Sequence, residues 1–214
     1  MVTWSYRDSH GATGDLVGLF HQALQQCNLE SHERLMVYSD HHTAQHYAAA
    51  FVAAAQQIGS DVFQIIVPSN QSEILDGPIL DVWCSVDMVV DLESIHTSIY
   101  RPLRTTALDS GIRVLRVTEP EDVLFRLRPD PAVRDRTRCA KSLVEAADNF
   151  RVVSRMGTDI VVNRTDRKAT ALWGAPDRPG TWDHWSVGLV VDGANRAGTN
   201  GTIVMEVGDF NLGM

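Results

Sequence analysis

Cysteines are few in this sequence and long apolar runs are missing, and each absence excludes a class of protein. The three cysteines, Cys27, Cys84 and Cys139, are widely spaced and form no C-x-x-C pair. This spacing favours reduced thiols over a disulfide framework or a zinc ribbon. The apolar stretch 79–92 contains three aspartates and is too short to span a bilayer. The start has no signal-peptide pattern, so we expect a cytoplasmic protein with no membrane partner.

Excess basic charge and phosphate-binding motifs are also missing. The sequence has 27 acidic and 19 basic residues, a net charge of −8 that repels phosphate backbones, so we expect no nucleic-acid partner. Basic residues between Arg126 and Lys141 alternate with aspartates, as on a solvated helix face. Neither G-x-G-x-x-G, G-x-x-x-x-G-K-[ST], G-x-S-x-G nor H-E-x-x-H occurs. The usual signatures of nucleotide binding, serine hydrolysis and zinc proteolysis are therefore absent.

Hydrophobic periodicity predicts an α/β fold, with βαβ units around a mostly parallel sheet. Apolar residues at helical spacing alternate with short apolar runs through the first 150 residues. Helices are predicted over 14–27, 43–59, 100–111, 118–127 and 131–150, and strands over 33–39, 61–68, 86–92 and 112–117. Gly59 is a predicted helix stop, and Thr118 and Glu121 have the spacing of a capping box.

The pattern changes after about residue 150 to short β-like runs separated by Gly, Pro, Asn or Asp. Residues 150–165 are typical of two strands joined at 156–159. Further β-like runs follow at 168–174, 185–193 and 201–209. We therefore predict a Rossmann-like α/β domain over 1–150 and a second, β-rich unit over 151–214.

The densest histidine cluster follows the first predicted strand, at the sheet edge where α/β proteins bind ligands. His42 and His46 are four residues apart, a spacing that places two imidazoles on one helix face and suits a divalent metal. Alternatively, Asp40 caps the helix and the neighbouring histidines are solvated. No third strong ligand is evident nearby, so the sequence leaves metal binding by His41, His42 and His46 open.

Two other histidines stand beside apolar or aromatic sequence. His96 comes just after a predicted strand, near its carboxyl end. In "PGTWDHWSVG", an extended chain places Trp182 and His184 on one face and Asp183 and Trp185 on the other. The first face then offers an aromatic plate beside a titratable imidazole, which suits a flat aromatic ligand that needs proton transfer. The alternative is that both tryptophans fill the core and His184 is merely hydrogen-bonded.

Six segments occur in an order that resembles one known family. They are "YSDHHT", "VVDLESIHTS", "SGIRVLRVTEPEDVLFRL", "VSRMGTDI", "PDRPGTWDHWSVG" and "GTIVMEVGD". Together they resemble the N-terminal portion of the 2,5-dihydroxypyridine 5,6-dioxygenase family, itself similar to the aminopeptidase T metallopeptidases. The resemblance runs from about Leu35 to Asp209, and "PGTWDHW" is its most specific segment.

The resemblance implies a chemistry and a set of roles. Family members open a dihydroxypyridine ring with O2 at a non-haem Fe(II), within nicotinate-type catabolism. Two histidines and an aspartate hold the iron and leave positions open for substrate and oxygen. The implied partners are a small aromatic N-heterocycle and O2. The resemblance gives proton-handling catalytic roles to His184 and His96, ring or ring-support contacts to Ile95, Trp182 and Trp185, and a supporting role to Asp183.

The metal site is where the sequence departs from the family. The family's iron ligands lie further toward the C-terminus, and no histidine follows His184, so no metal ligand is identifiable in this chain. We therefore expect one of three cases: a truncated product, a protein whose metal domain comes from self-association or a second chain, or a protein that no longer performs the chemistry. In the first two cases 151–214 begins an incomplete C-terminal metal-binding domain.

Two other functions remain open at this point. One is an aminopeptidase T-like metallohydrolase, in which Glu206 contributes one ligand. The other is a non-catalytic subunit that binds an aromatic acid or serves in an interaction, because a fold alone does not establish an activity.

Overall fold

Five parallel strands form the central sheet of the computed structural model, which describes residues 13–68, 76–93, 102–185 and 188–205. In sheet order they are β2 (Asp61–Val67), β1 (Arg34–Asp40), β3 (Met88–Asp91), β4 (Arg113–Arg116) and β8 (Trp182–His184). Every neighbouring pair in this sheet runs parallel. The predicted α/β class with a mostly parallel sheet is confirmed.

Helices cover both faces of this sheet. The helices of this unit are α1 (Thr13–Gln26), α2 (Gln45–Ile58), α3 (Asp76–Trp83), α4 (Pro102–Asp109) and α5 (Glu121–Arg126). A sixth described helix, α6 (Pro131–Glu145), belongs mainly to the second unit described below. Alternate residues of β1 point to opposite faces, as the pleat requires. Leu35 and Val37 pack in the cluster that contains α1 and α2, whereas Met36 and Tyr38 pack in the cluster that contains α3 and α4. Burial on both faces explains why β1, β3 and β4 read as short continuous apolar runs.

Aromatic side chains form the centre of the layer between α1, α2 and the sheet. Phe20 of α1 stacks on Phe51 of α2 with ring centroids 3.8 Å apart, and both side chains are fully buried. The indole of Trp185 meets Phe20 edge-on at 5.6 Å. Burying each such ring contributes roughly 1.5–3 kcal/mol. At the end of α2, Gly59 has φ +88° and donates its N–H to the carbonyls of Ala55 and Gln56, which confirms the predicted helix stop.

A second compact unit has its own antiparallel sheets. It contains the described residues 134–172 and 188–205, whereas the first unit contains those up to 133 and 173–185. β6 (Asp159–Asn163) lies between β5 (Asn149–Val153) and β10 (Asn200–Thr202), and β7 (Thr170–Leu172) pairs with β9 (Leu189–Val191). The predicted strand pair joined at 156–159 is confirmed. The chain enters this unit at residue 134 and leaves it at residue 172 to form β8 in the first unit. The predicted division into domains 1–150 and 151–214 stays a prediction.

One buried arginine organises the second unit. Arg164 is 4% exposed and forms an ion pair with Asp192 at 2.5 Å. Its guanidinium also donates to the carbonyl of Ala147 at 2.8 Å and to that of Arg167 at 3.0 Å. These bonds satisfy a charge that would otherwise be costly to bury. Across both units, no helix in the described part of the chain is long and apolar enough to cross a membrane.

Candidate functional site at the carboxyl edge of the sheet

The last residues of three neighbouring strands lie side by side at the carboxyl edge of the parallel sheet. Asp91 of β3 is in register with Arg116 of β4, and Arg116 is in register with His184 of β8. Ligands of open α/β proteins bind at this edge. The sheet therefore brings a carboxylate, a guanidinium and an imidazole to the edge where a ligand is expected.

Asp91 and Arg116 form an ion pair that is closed to solvent. The Arg116 Nη1 atom lies 2.7 Å from Asp91 Oδ2, and both side chains are 0% exposed. Arg116 Nη2 donates to the carbonyl of Glu93 at 2.7 Å, and Asp91 Oδ1 accepts the Glu93 N–H at 3.0 Å. Both charges are thus paired and hydrogen-bonded, as burial requires. Their effect is to fix the backbone at Glu93, where the chain leaves β3.

His184 is the partly exposed member of this row, with 22% of its side chain accessible. Its Nε2 atom lies 3.3 Å from Thr118 Oγ1, a hydrogen-bond distance, and 3.9 Å from Glu119 Oε1. The prediction that Thr118 caps a helix with Glu121 is wrong. Helix α5 has Pro120 as its N-cap and no side-chain cap bond, and the Thr118 hydroxyl is engaged with His184 instead.

Trp182 lies on the same side of β8 as His184, as the extended alternation predicts. The two rings are close to parallel, with an interplanar angle of 18° and centroids 6.4 Å apart. The Arg104 guanidinium stands over the Trp182 ring, 4.8 Å from its centroid, in a cation–π contact. Among the described residues the buried indole N–H of Trp182 has no hydrogen-bond acceptor. The half-buried indole of Trp182 therefore lies between Arg104 of helix α4 and the imidazole of His184.

Asp183 faces the other way and binds backbone. Its carboxylate accepts the N–H groups of Trp173 at 3.0 Å, Gly174 at 3.1 Å and His184 at 2.7 Å, and the residue is 3% exposed. Burial raises the pKa of Asp183 to about 6, against the opposing effect of the backbone N–H groups, which lower it. The carboxylate thus fixes the strand that carries His184, and its supporting role in a reaction stays a prediction.

Trp185 is a core residue. Its side chain is 0% exposed, and its indole N–H donates to the carbonyl of Leu127 at 2.9 Å. The backbone N–H of Trp185 donates to the carbonyl of Arg116 at 2.8 Å, which extends the pairing of β8 with β4. The two tryptophans of the segment are therefore unequal: Trp185 is fully enclosed, whereas Trp182 stands beside His184.

A cleft of about 690 Å³ opens at the same edge of the sheet. Its walls come from the loop before α2, the first turn of α2, the ends of β3 and β4 and the start of α5. The lining residues are His42, Thr43, Ala44, His46, Tyr47, Leu92, Val117, Thr118, Glu119, Pro120, Glu121, Asp122 and Phe125. Thr118 and Glu119 both line the cleft and contact His184, whereas His184 itself is not one of the lining residues. The volume is within the range of small-molecule sites.

The loop before α2 is held by Asp40. Its carboxylate accepts the N–H of His42 at 2.9 Å and the N–H of Thr43 at 2.8 Å. The Thr43 hydroxyl donates to the Leu92 carbonyl at 2.8 Å, joining this loop to the end of β3. Helix α2 begins only at Gln45, with no side-chain cap. The prediction that Asp40 caps the helix is therefore wrong, because Asp40 closes the preceding turn.

The same boundary removes the helical argument for a metal at the histidine cluster. His42 precedes α2, so it does not share a helix face with His46, although both are exposed residues that line the cleft. No group of three or more His, Cys, Asp or Glu side chains in the described ranges is placed to hold a metal ion. A ligand set for iron is therefore not found in that part of the chain.

Three residues of the sequence analysis, Ile95, His96 and Glu206, lie outside the described residues, and their roles stay predictions. In contrast, the sequence analysis missed Thr118 and Glu119 as neighbours of His184. The signal was present, since both directly follow the strand-like run "IRVLRV" and therefore belong to the carboxyl edge.

The fold and the site define an open α/β protein with a cleft at the carboxyl edge of its parallel sheet. The sequence model of the family described as "NicX: 2,5-dihydroxypyridine 5,6-dioxygenase" matches residues 15–214. The chain therefore belongs to the 2,5-dihydroxypyridine 5,6-dioxygenase family, and the predicted resemblance is confirmed.

Individual relatives agree with this assignment. The chain is 25% identical, over 217 aligned residues, to the 2,5-dihydroxypyridine 5,6-dioxygenase of Pseudomonas putida KT2440; the alignment covers 94% of this chain and 61% of that protein. The solved structure of the dioxygenase from this strain matches with a TM-score of 0.82 and 24% identity, covering 89% of this chain and 59% of that one. The chain thus spans about three fifths of these relatives.

The fold also matches wild-type AmpT from Thermus thermophilus. The TM-score is 0.61 with 12% identity, and the match covers 89% of this chain and 64% of that one. Likeness at such low identity shows a shared fold and carries no statement about activity. The predicted relation to aminopeptidase T-like proteins is confirmed at the level of the fold.

Proposed function

We propose that this chain forms the substrate-side part of a ring-cleaving dioxygenase that acts on 2,5-dihydroxypyridine-type substrates with O2. The observation that carries the proposal is the family match over residues 15–214. It is supported by His184, which contacts two residues that line a cleft of suitable size at the carboxyl edge. The proposed setting is nicotinate-type catabolism in the cytoplasm.

In this proposal His184 handles the proton of a ring hydroxyl. The substrate O–H bond breaks, its electron pair stays on oxygen, and the proton passes to a nitrogen of the neutral imidazole. Trp182, half-buried beside the imidazole, supplies a flat aromatic surface, and Asp183 holds the strand in place.

His96 and Ile95 are proposed as the second proton-handling residue and an apolar contact to the ring. The support is their place in the segment "VVDLESIHTS", which follows β3 directly. The buried pair of Asp91 and Arg116 fixes the backbone at Glu93, two residues before Ile95. Trp185 is proposed to act only as support for the strand, because its side chain is enclosed in the core.

The family resemblance implies Fe(II), which would bind the substrate and O2 in such an enzyme. The described residues do not fit this metal, since they include no suitable group of three ligands. We therefore propose that the iron ligands come from outside the described residues, from a further segment of polypeptide or from another chain, through self-association or a second subunit. No step of the proton transfer depends on them.

Reconstitution tests the proposal. The purified chain is incubated with Fe(II), O2 and 2,5-dihydroxypyridine, with and without a polypeptide comprising the part of the P. putida enzyme that this chain does not match. We expect substrate absorbance and dissolved oxygen to fall together when both polypeptides are present. Loss of neither under both conditions contradicts the proposal. Cleavage of amino-acid amides with Co(II) or Zn(II), or metal-independent binding without turnover, would support a hydrolase or a binding subunit instead.

A further inference from the structure

The hydrogen-bond donors in the loop before α2 are already used within the protein. The N–H groups of His42 and Thr43 donate to the carboxylate of Asp40 at 2.9 and 2.8 Å. The Thr43 hydroxyl donates to the carbonyl of Leu92 at 2.8 Å. A bound carboxylate group needs donors, because it only accepts hydrogen bonds. The carboxylate of Asp40 thus occupies backbone N–H groups that would otherwise suit an anionic ligand of the cleft.

The start of α5 contributes acidic residues to the cleft. Glu119 precedes this helix, and Glu121 and Asp122 lie in its first turn. All three line the cleft, whereas no lysine or arginine is among its lining residues in the described part of the chain. Glu119 Oε1 lies 3.9 Å from Nε2 of His184, a ring that is charged when protonated. Glu121 and Asp122 are therefore the acids whose charge we expect to act on a ligand.

Two helices begin at the cleft, and their N-termini act in the opposite direction. Helix α2 starts at Gln45 without a side-chain cap, and α5 starts at Glu121. The N-terminus of a helix carries about half of a positive elementary charge, so the two together supply at most about one. The three acidic residues outweigh this contribution. A cleft lined by one sign of charge favours ligands of the opposite sign and disfavours ligands of its own sign.

The remaining lining includes apolar side chains that suit a flat ring. Leu92 and Val117 are buried residues that directly follow β3 and β4, and Phe125 packs against the layer of α1 and α2. We propose that the cleft admits uncharged N-heterocycles and disfavours their ring carboxylates, and that Glu121 and Asp122 determine this specificity. The proposal rests on the proposed function, because it names the substrate class of the same cleft. It also argues against an aromatic acid, which the sequence leaves open as a ligand.

Two probes of nearly the same shape and different charge test this specificity. They are 6-hydroxypyridine-3-carboxamide, which is uncharged, and 6-hydroxypyridine-3-carboxylate, which carries one negative charge. Their dissociation constants for the full chain are measured without added metal by ligand-observed NMR. A pH of about 8 is chosen because His42 and His46 also line the cleft, and imidazoles change charge mainly below it. We expect the carboxamide to bind at least about tenfold more tightly, the lower end of the effect of a charged cleft.

Charge removal at α5 should abolish this preference. Glu121→Gln combined with Asp122→Asn keeps the side-chain shapes and should bring the ratio of the two dissociation constants close to one. Glu30→Gln combined with Asp61→Asn is the matched control, since both residues are exposed and lie at the amino edge of the sheet, before β1 and at the start of β2. The control removes the same charge and should leave the ratio unchanged. In the wild type, about 1 M NaCl shortens the screening length to about 3 Å and should also reduce the ratio, so the test does not depend on a variant.

Equal binding of the two probes, or tighter binding of the carboxylate, would overturn the inference. An equal response of the α5 variant and the control would do so as well, and so would the absence of binding by either probe. None of these measurements uses turnover. If the reconstituted protein cleaves no ring but the preference and its loss are observed, then the proposed function fails and the specificity of the cleft stands. Ring cleavage without the preference gives the reverse result.

Discussion

The carboxylate of Asp183 accepts the backbone N–H of Trp173 at 3.0 Å, and this bond ties strand β8 to a segment ten residues earlier in the chain. The backbone N–H groups of Gly174 and His184 also donate to this carboxylate. Asp183, the acid between the two tryptophans, therefore connects two backbone segments inside the fold through hydrogen bonds. Its neighbour His184 points to the other side of the strand, toward Thr118 and Glu119, because alternate residues of a strand point to opposite sides.

The buried, hydrogen-bonded carboxyl group of Asp183 predicts a specific pH dependence of the free energy of unfolding. Burial raises the pKa of Asp183 to about 6, so the folded chain binds this proton more tightly than the unfolded chain, whose value is roughly 4. Stability from this group is therefore greatest below about pH 4 and is lost as the pH rises toward 6. The free energy of unfolding of the wild type minus that of Asp183→Asn should fall across this window and level off above it. Urea denaturation at stepped pH measures the difference, and a constant value across the window contradicts the prediction.

His184→Ala should lower turnover of the reconstituted enzyme by roughly 10²–10⁴-fold, the usual contribution of a general acid–base group. The same loss is expected for His96→Ala. Little stability should be lost at position 184, because that side chain is 22% exposed. His32→Ala is the matched control, since His32 is 77% exposed and precedes β1, at the opposite edge of the sheet. Unfolding of the His184 and His96 variants, or unchanged turnover, would identify these histidines as structural or uninvolved.

The two tryptophans should separate stability from binding. Trp185→Ala removes a fully enclosed indole and should cost about 3–5 kcal/mol. Trp182→Ala should cost less, because this side chain is only partly buried, and should instead weaken binding of 2,5-dihydroxypyridine. Thermal denaturation and isothermal titration calorimetry measure the two effects. Equal stability losses with equal affinities would show that both residues only fill the core.

The buried ion pair between Asp91 and Arg116 predicts that the stability losses of single substitutions at these positions do not add. Asp91→Leu leaves the Arg116 charge buried without its carboxylate and should cost roughly 3–5 kcal/mol. Arg116→Met should behave similarly from the other side. The double variant should recover much of the loss, since a well-packed apolar pair is often as stable as a buried ion pair. Urea denaturation of all four proteins gives the coupling energy, and additive losses would contradict the prediction.

Elements with strong local periodicity were predictable from the sequence. Helices α1 and α2 and strand β1 match their apolar patterns, because each pattern reports burial against nearby layers. Strand β2 also matches its predicted range, although most of its residues are exposed or half-buried. Helix α3 was not predicted, because its apolar residues run directly into those of β3 and read as one stretch. The role of β8 as a fifth parallel strand was also missed. Three residues with an aspartate in the middle carry little strand signal, and the partner strand is distant in sequence.

The site was predictable only in part for a similar reason. His184 and Trp182 were found because a two-residue period fixes which side chains share a face. Thr118 was misread because its spacing to Glu121 suits a local helix cap, whereas its actual neighbour is 66 residues away. His42 and His46 were paired because residues four apart share one face of a helix, which requires the helix to include His42. The Asp40 turn delays that helix until Gln45.

The return of the chain from the second unit to complete the parallel sheet has a consequence for synthesis on the ribosome. When β1 to β4 have been synthesised, the nascent chain still lacks Trp185, whose indole packs in the layer with α1 and α2, and His184, which ends the fifth strand of the sheet. Both emerge only after 134–172 have been translated. Completion of the parallel sheet therefore comes late in assembling the first unit, and a polypeptide released early would carry the loops of the cleft without His184.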